Sequence, residues 1–338
     1  MAYDKNYVYY VLGYFILLII ILALIIGILQ FFISEKKTKQ IDKIRMNQFS
    51  YAILVGISIL TAIVLVAVIV LAVVRGQEQS KLFQPEVCTK YKTLSGVWCP
   101  LKHGGGLMHV MKREELQMDE QGNLDIRPKD EKTRRVFFIH GNSYNLEKYA
   151  VPLLKLKEMG YSVWALEFAY YGKAKGSSKQ GTGGLPNAKT VVQDVIDAWK
   201  ICGRSDTIVM GFSLGGAILG QVYEYFNPAP SQLVFLTTFC DFPELVADKI
   251  GEIGKMLAPM LQTQWRTKPP TKYKGQVMIV WTADDQVVPS SQGYELCTIF
   301  KNLHPRCIKL PSGGHRNSAL IYQDRWANRE TLLVPELY

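Results

Sequence analysis

Two apolar stretches precede any alternation of elements. Residues 8–33 form an uncharged, almost wholly apolar run of 26, and residues 51–74 a second of 24. At ~1.5 Å per helical residue each exceeds the ~30 Å hydrocarbon core of a bilayer, so both predict tilted spanning helices. A cleaved leader is disfavoured: the first run is too long, lacks a basic leading region, and is followed by Ser34-Glu35-Lys36-Lys37. From residue 77 to 132, short apolar stretches such as 107–111 mix with turn signals such as Gln121-Gly122-Asn123. This predicts two or three leading strands in antiparallel arrangement. Thereafter strands at 136–139, 161–168, 208–210, 233–239, 277–281 and 307–310 are interleaved with helical patterns at 146–159, 188–200 and from Leu214, and 318–333 reads as a closing helix. The alternation predicts an α/β fold: a mostly parallel central sheet with helices on both faces. It stops between Cys240 and Thr271, where Val246, Ile250, Ile253, Leu257 and Met260 recur at helical spacing. The expected organisation is a two-helix transmembrane anchor over 1–80 and one large domain over 81–338, with leading strands at 81–132 and a small cap at about 241–272. The cap stripe either lines a cleft or packs on the core.

Charge refines the membrane reading. Two spans leave both flanks on one side, and the loop between them carries Lys36, Lys37, Lys39, Lys43 and Arg45, against Lys5 alone before the first run. The positive-inside bias places that loop in the cytoplasm and the large domain outside or in a lumen, although Arg75, Lys81, Lys90 and Lys92 follow the second run. Two of the six cysteine positions, Cys88 and Cys99, form one local pair, and Cys297 and Cys307 form another. Such pairs suit disulfides in an oxidising compartment or are ordinary buried thiols. The net charge of +10 is read as a solvated surface beside a bilayer, with no basic-aromatic pattern that would suggest nucleic acid. No Cys-x-x-Cys or clustered histidine pair suggests metal, and the Gly- and Lys-rich loop at 176–184 lacks the ending of a phosphate cradle. No metal and no organic cofactor is expected.

Candidate chemistry centres on residues 206–220, where a short apolar run passes through Gly211-Phe212-Ser213-Leu214-Gly215-Gly216 into a helix. A serine on such a bend needs small neighbours, and its hydroxyl stands clear of the backbone. A hydroxyl is a poor nucleophile until a base takes its proton, so a histidine and an acid must follow. After the strand at 277–281 comes Asp284-Asp285, and after the strand at 307–310 comes Gly313-Gly314-His315. His103, His109 and His140 precede the serine, and His304 comes before a strand, so His315 is the best placed. His103-Gly104-Gly105-Gly106 reads as a turn. The strand at 136–139 runs into His140-Gly141-Asn142-Ser143-Tyr144-Asn145, where backbone N–H groups would meet a developing oxyanion. The expected donors are the amides of Asn142 and Leu214, and His140 is read as a packing and hydrogen-bonding residue.

With these turns in place, the chain resembles the α/β-hydrolase superfamily, and within it the membrane-anchored serine hydrolases, over roughly residues 136–315. The resemblance implies Ser213 as nucleophile, His315 as base, Asp285 rather than Asp284 as acid because of its spacing to Val287-Val288-Pro289, and no cofactor. Two departures stand out. Where the family often has a pattern like Asp-Tyr-Arg-Gly-Tyr-Gly-x-Ser, this chain has Glu167-Phe168-Ala169-Tyr170-Tyr171-Gly172-Lys173-Ala174, and Ser143-Tyr144 replaces small residues after His-Gly-Asn. Tyr144 is expected to narrow the pocket entrance. The expected function is hydrolysis of acyl esters or thioesters, with membrane lipids or acylated substrates at the bilayer as partners. The alternatives are hydrolysis of short peptides and an inactive tethered scaffold.

Overall fold

The computed structural model describes residues 48–112, 133–174 and 186–315. The apolar run at 8–33, the turn at 121–123, the loop at 176–184 and the helix expected at 318–333 lie outside the described residues. The chain divides between Gln77 and Glu78 into two compact units.

Helix α1, Gln48–Leu82, carries the second apolar run. Its segment Ser58–Leu82 is long and apolar enough to cross a membrane, with a mean hydropathy of 2.8. An 18-residue apolar stretch within it is only 6% buried. Exposed Leu60, Ile63 and Val68 present apolar surface.

The larger unit is built on an eight-stranded sheet. Its strands are β2 (Ser95–Pro100), β3 (Gly106–Met111), β4 (Arg135–Ile139), β6 (Ser162–Glu167), β7 (Ile208–Phe212), β8 (Gln232–Leu236), β9 (Gln276–Thr282) and β10 (Arg306–Leu310), and two residues each form β1 (Gln84–Pro85) and β5 (Ser143–Tyr144). The order is β10-β9-β8-β7-β4-β6-β3-β2, antiparallel at β2–β3 and β3–β6 and parallel elsewhere. Every residue of β6, β7 and β8 is buried, as expected of strands covered on both faces, and their runs accordingly do not alternate. The chain passes from β4 to β6 on one side and then to β7 on the other. Strand order thus reverses at β4, and the carboxyl ends of β4 and β7 flank the point where such a sheet gathers its site.

Helices α2 (Ala150–Glu158), α3 (Ala188–Cys202), α4 (Leu214–Val222), α5 (Phe242–Leu257) and α6 (Ser290–Ile299) complete the described layers. The helix expected over 146–159 is split, with a 3₁₀ turn at Leu146–Tyr149 before α2. Pro152 explains the break: without an N–H it cannot bond back across that turn, but it fits the first turn of a new helix. The cap helix α5 lies within the expected 241–272, and Asp241 accepts the N–H of Glu244 at 2.8 Å and fixes its first turn. It bends at Gly251, whose φ of 63° is left-handed. Of the expected stripe, Val246 is buried, while Ile250, Ile253, Leu257 and Met260 stay half-buried.

His103-Gly104-Gly105-Gly106 forms the tight turn between β2 and β3, closed by the Leu101 N–H bond to the Gly105 carbonyl. Cys297 of α6 and Cys307 of β10 are disulfide-bonded. The suspected Cys88–Cys99 pairing is corrected: both are free thiols. Cys88 is tied to Gly172 through its N–H, whereas Cys99 sits near the end of the edge strand β2.

Candidate active site

Ser213 stands between β7 and α4 with φ 51° and ψ −119°, a conformation that turns a strand into a helix within one residue. The sharp bend requires close approach: a Cβ on Gly211 would lie 2.6 Å from the Gly216 Cα, and one on Gly216 2.6 Å from the Thr238 side chain. The strained residue is held from three directions. Its N–H bonds the Leu236 carbonyl, and its own carbonyl accepts the Thr238 hydroxyl at 2.6 Å and the Gly216 N–H at 3.0 Å. A left-handed non-glycine residue costs of order 1–3 kcal/mol and persists only where such bonds over-determine it.

The structure brings together three of the residues singled out in the sequence. His315 Nε2 lies 2.8 Å from Ser213 Oγ, and His315 Nδ1 lies 2.8 Å from Asp285 Oδ2. The Asp285 side chain is almost fully buried, and its other oxygen accepts the N–H groups of Val287 at 2.7 Å and Val288 at 2.9 Å. Its charge is therefore held by backbone dipoles and aimed at the imidazole. Asp284 points elsewhere: its exposed carboxylate accepts the N–H groups of Gly314 at 2.8 Å and Gly313 at 3.2 Å. These bonds, that from Gly314 first, hold its pKa below the usual carboxylate range. Lys249 of α5 donates to the Gln286 carbonyl beside this turn, and desolvation lowers its pKa.

Leu214 is the first residue of α4, where helix N–H groups have no intrahelical acceptor. Asn142 follows β4, and the peptides around it are fixed. Tyr149 OH accepts the Gly141 N–H at 3.1 Å. His140 Nδ1 lies 2.6 Å from the Gly141 carbonyl, which can only accept, so the ring nitrogen donates. His140 is fully buried among Tyr149, Phe168 and Tyr171, with Nε2 3.1 Å from Glu167 Oε1, and has no path to the Ser213 hydroxyl through these contacts. Tyr144 adopts a φ of 70° and holds the Lys148 ammonium 4.8 Å over its ring.

Sequence reasoning missed Thr238, which bonds the serine carbonyl, and Tyr171 and Gln84, which bond Asn142. Tyr171 belongs to the run that departs from the family pattern, but nothing local marks its partner 29 residues away. Tyr170, where the family often has glycine, has a left-handed φ of 67°.

Residues 130–307, more than half of the chain, match the family described as serine aminopeptidase, S33. Protein bem46 of Schizosaccharomyces pombe is 18% identical over 217 residues, which cover 63% of this chain and 71% of the relative. Among solved structures, Est1E from Butyrivibrio proteoclasticus with bound ferulic acid aligns at a TM-score of 0.50 and 15% identity, covering 70% of this chain and 98% of that one. An alpha-beta hydrolase from Vibrio vulnificus aligns at 0.50 and 14%, covering 70% and 80%. At such identities the structural likeness speaks for the fold alone. The family match, in contrast, runs from just before β4 into β10 and includes the serine turn and the Asp285 turn. The chain belongs to the serine aminopeptidase, S33, family of α/β-hydrolases.

Proposed function

We propose that the chain is a membrane-anchored serine hydrolase that cleaves acyl ester or thioester bonds in lipid-like substrates. The observation that carries this reading is the unbroken series Ser213 Oγ, His315, Asp285, with both contacts at 2.8 Å. Ser213 Oγ would attack the acyl carbonyl while His315 Nε2 takes its proton. The carbonyl oxygen, now negative, would meet the N–H groups of Asn142 and Leu214, and losing one such donor typically lowers turnover ~100- to 1,000-fold. Collapse of the tetrahedral species breaks the bond to the leaving alcohol or thiol, which receives the proton from His315. Water then attacks the acyl-enzyme, giving its proton to His315, which passes it to Ser213 Oγ as the acyl–oxygen bond breaks and the free acid leaves. Asp285 would keep the imidazole oriented and stabilise its charged form.

The apolar α1 supports membrane attachment, and the runs at 8–33 and 51–74 support a two-span anchor over 1–80 carrying the hydrolase domain on the extracytosolic or lumenal side. Tethering raises the local concentration of a bilayer-borne substrate. The half-buried stripe of α5 supports apolar acyl groups as the substrate, because it leaves Ile250, Ile253 and Leu257 incompletely covered. A reactive fluorophosphonate should label the parent at Ser213 and leave Ser213→Ala unlabelled. Equal labelling of a folded Ser213→Ala protein would end the proposal. The family's own description favours a second reading, cleavage of short peptides. Turnover of peptide amides and not of para-nitrophenyl esters would select it.

A further inference from the structure

The segment leaving α1 is bonded directly to the loop that carries Asn142. Within the larger unit, Glu78 is buried and its carboxylate accepts the backbone N–H groups of Gln262 and Thr263, both at 2.6 Å. Leu82 and Phe83 are buried next. Gln84 and Pro85 then pair in parallel with Ser143 and Tyr144. The Gln84 N–H lies 3.0 Å from the Asn142 carbonyl and 2.9 Å from the Tyr171 hydroxyl, and that hydroxyl donates to the same carbonyl at 2.5 Å. Asn142 Nδ2 donates to the Lys81 carbonyl at 3.3 Å, and Asn145 Nδ2 to the Glu86 carbonyl at 3.1 Å.

A loop after a buried strand is ordinarily free to adjust, and a misplacement of about 1 Å in a catalytic group costs on the order of 100-fold in rate. Here the peptide before Asn142 is held by His140, and the peptide after it by Gln84 and Tyr171. The first restraint comes from within the loop. The second comes from the tail of the apolar helix, with buried Tyr171 as the hub that touches both.

We propose that residues 81–86 are a positioning strap that fixes the Asn142 amide for oxyanion stabilisation, so that the exit of the apolar helix sets the rate of acyl transfer. This rests on the hydrolase reading above. The strap acts through Asn142 and touches no substrate. It makes residues 81–86 part of the active-site frame.

The test uses the full chain in detergent micelles, with Tyr171→Phe as the main variant and Asn142→Ala, which loses the side-chain bond to Lys81, as the second. Four quantities are read: kcat and KM on a para-nitrophenyl ester, affinity for a trifluoromethyl ketone whose adduct carries an oxyanion, melting temperature, and hydrogen exchange of the 140–146 peptide. Tyr171→Phe should lower kcat about tenfold and ketone affinity by a similar factor, with KM within about twofold and faster exchange in the loop. Asn142→Ala should do the same by about threefold, and it carries the test if Tyr171→Phe does not fold. Parental kcat, ketone affinity and loop protection in the folded variants would overturn the strap. A parent that neither turns over ester nor reacts with fluorophosphonate would remove the hydrolase reading separately. Loop exchange unchanged by either variant would then overturn the strap as well.

Discussion

Adjacent carboxylates of opposite exposure divide the turn after β9 between them. Asp285 is buried against His315, while exposed Asp284 holds the backbone of Gly313 and Gly314 and so shapes the loop that presents the histidine. Under the proposed mechanism, Asp285→Ala should lower kcat by roughly 10³- to 10⁴-fold, because the imidazole loses both its orientation and its counter-charge. Asp284→Ala should cost less than about tenfold. Steady-state kinetics on a para-nitrophenyl ester compares the two, and a larger loss at Asp284 would reassign the acid. Ser213 and the two acids were legible in the sequence because each lies just beyond a short branched run, and the end of a parallel strand is where a sheet gathers its loops. The choice between the acids was not legible from the residues themselves, since one residue of register decides which side chain turns inward. Tyr171 and Gln84 were invisible for another reason: their hydrogen bonds to Asn142 and to each other span 29 to 87 residues, and no periodicity encodes such a contact.

Elements were read correctly where burial dictates the pattern and misread where local chemistry overrides it. The central strands are covered on both faces, so continuous apolar runs identified them. The helix at 146–159 was misread because Pro152 starts a new helix instead of continuing the turn before it. Helix α3 shows a further feature that periodicity hides. Asp194 faces inward, fully buried, with one oxygen accepting the Gly105 N–H at 3.1 Å. Desolvation raises its pKa from the ordinary 3.8 to about 7 despite N–H bonds from Gly105 and Ala169. Between these values the folded state keeps a proton that the unfolded state has lost, so this group's contribution falls as pH rises toward about 7 and is flat beyond. Glu244, also pushed up to about 7 by desolvation first and then by its bond to Glu295, acts with the same sign. Melting temperature should therefore decline from pH 5 to pH 8, and Asp194→Asn should shrink that decline by on the order of several degrees. An Asp194→Asn protein with the parent's full pH dependence would show that the buried acid contributes nothing to it.

At the scale of the whole molecule, two independent features bear on the side of the membrane the hydrolase domain would occupy under the anchored proposal. The first is charge. Under the two-span proposal the loop between the apolar runs carries five basic residues, Lys36, Lys37, Lys39, Lys43 and Arg45, and short basic loops stay cytoplasmic. A run long enough to span is legible because bilayer thickness converts directly into a residue count, whereas orientation under the two-span proposal depends on a modest bias that Arg75, Lys81, Lys90 and Lys92 partly offset. The second is redox. Cys297 and Cys307 are bonded, and a disulfide persists in secretory compartments far better than in a reducing cytosol. The two features rest on different physics, one on charge transfer across a bilayer and the other on thiol potential, yet they favour the same orientation. In sealed vesicles with the cytoplasmic face outward, trypsin should cut within 36–45 and leave the unit from Glu78 onward intact until detergent is added. In the same vesicles, a thiol-blocking reagent applied after denaturation without reductant should modify the remaining cysteines and spare Cys297 and Cys307. Digestion of the hydrolase unit in sealed vesicles would reverse the orientation, and the positive-inside argument would then yield to the basic residues that follow the second run.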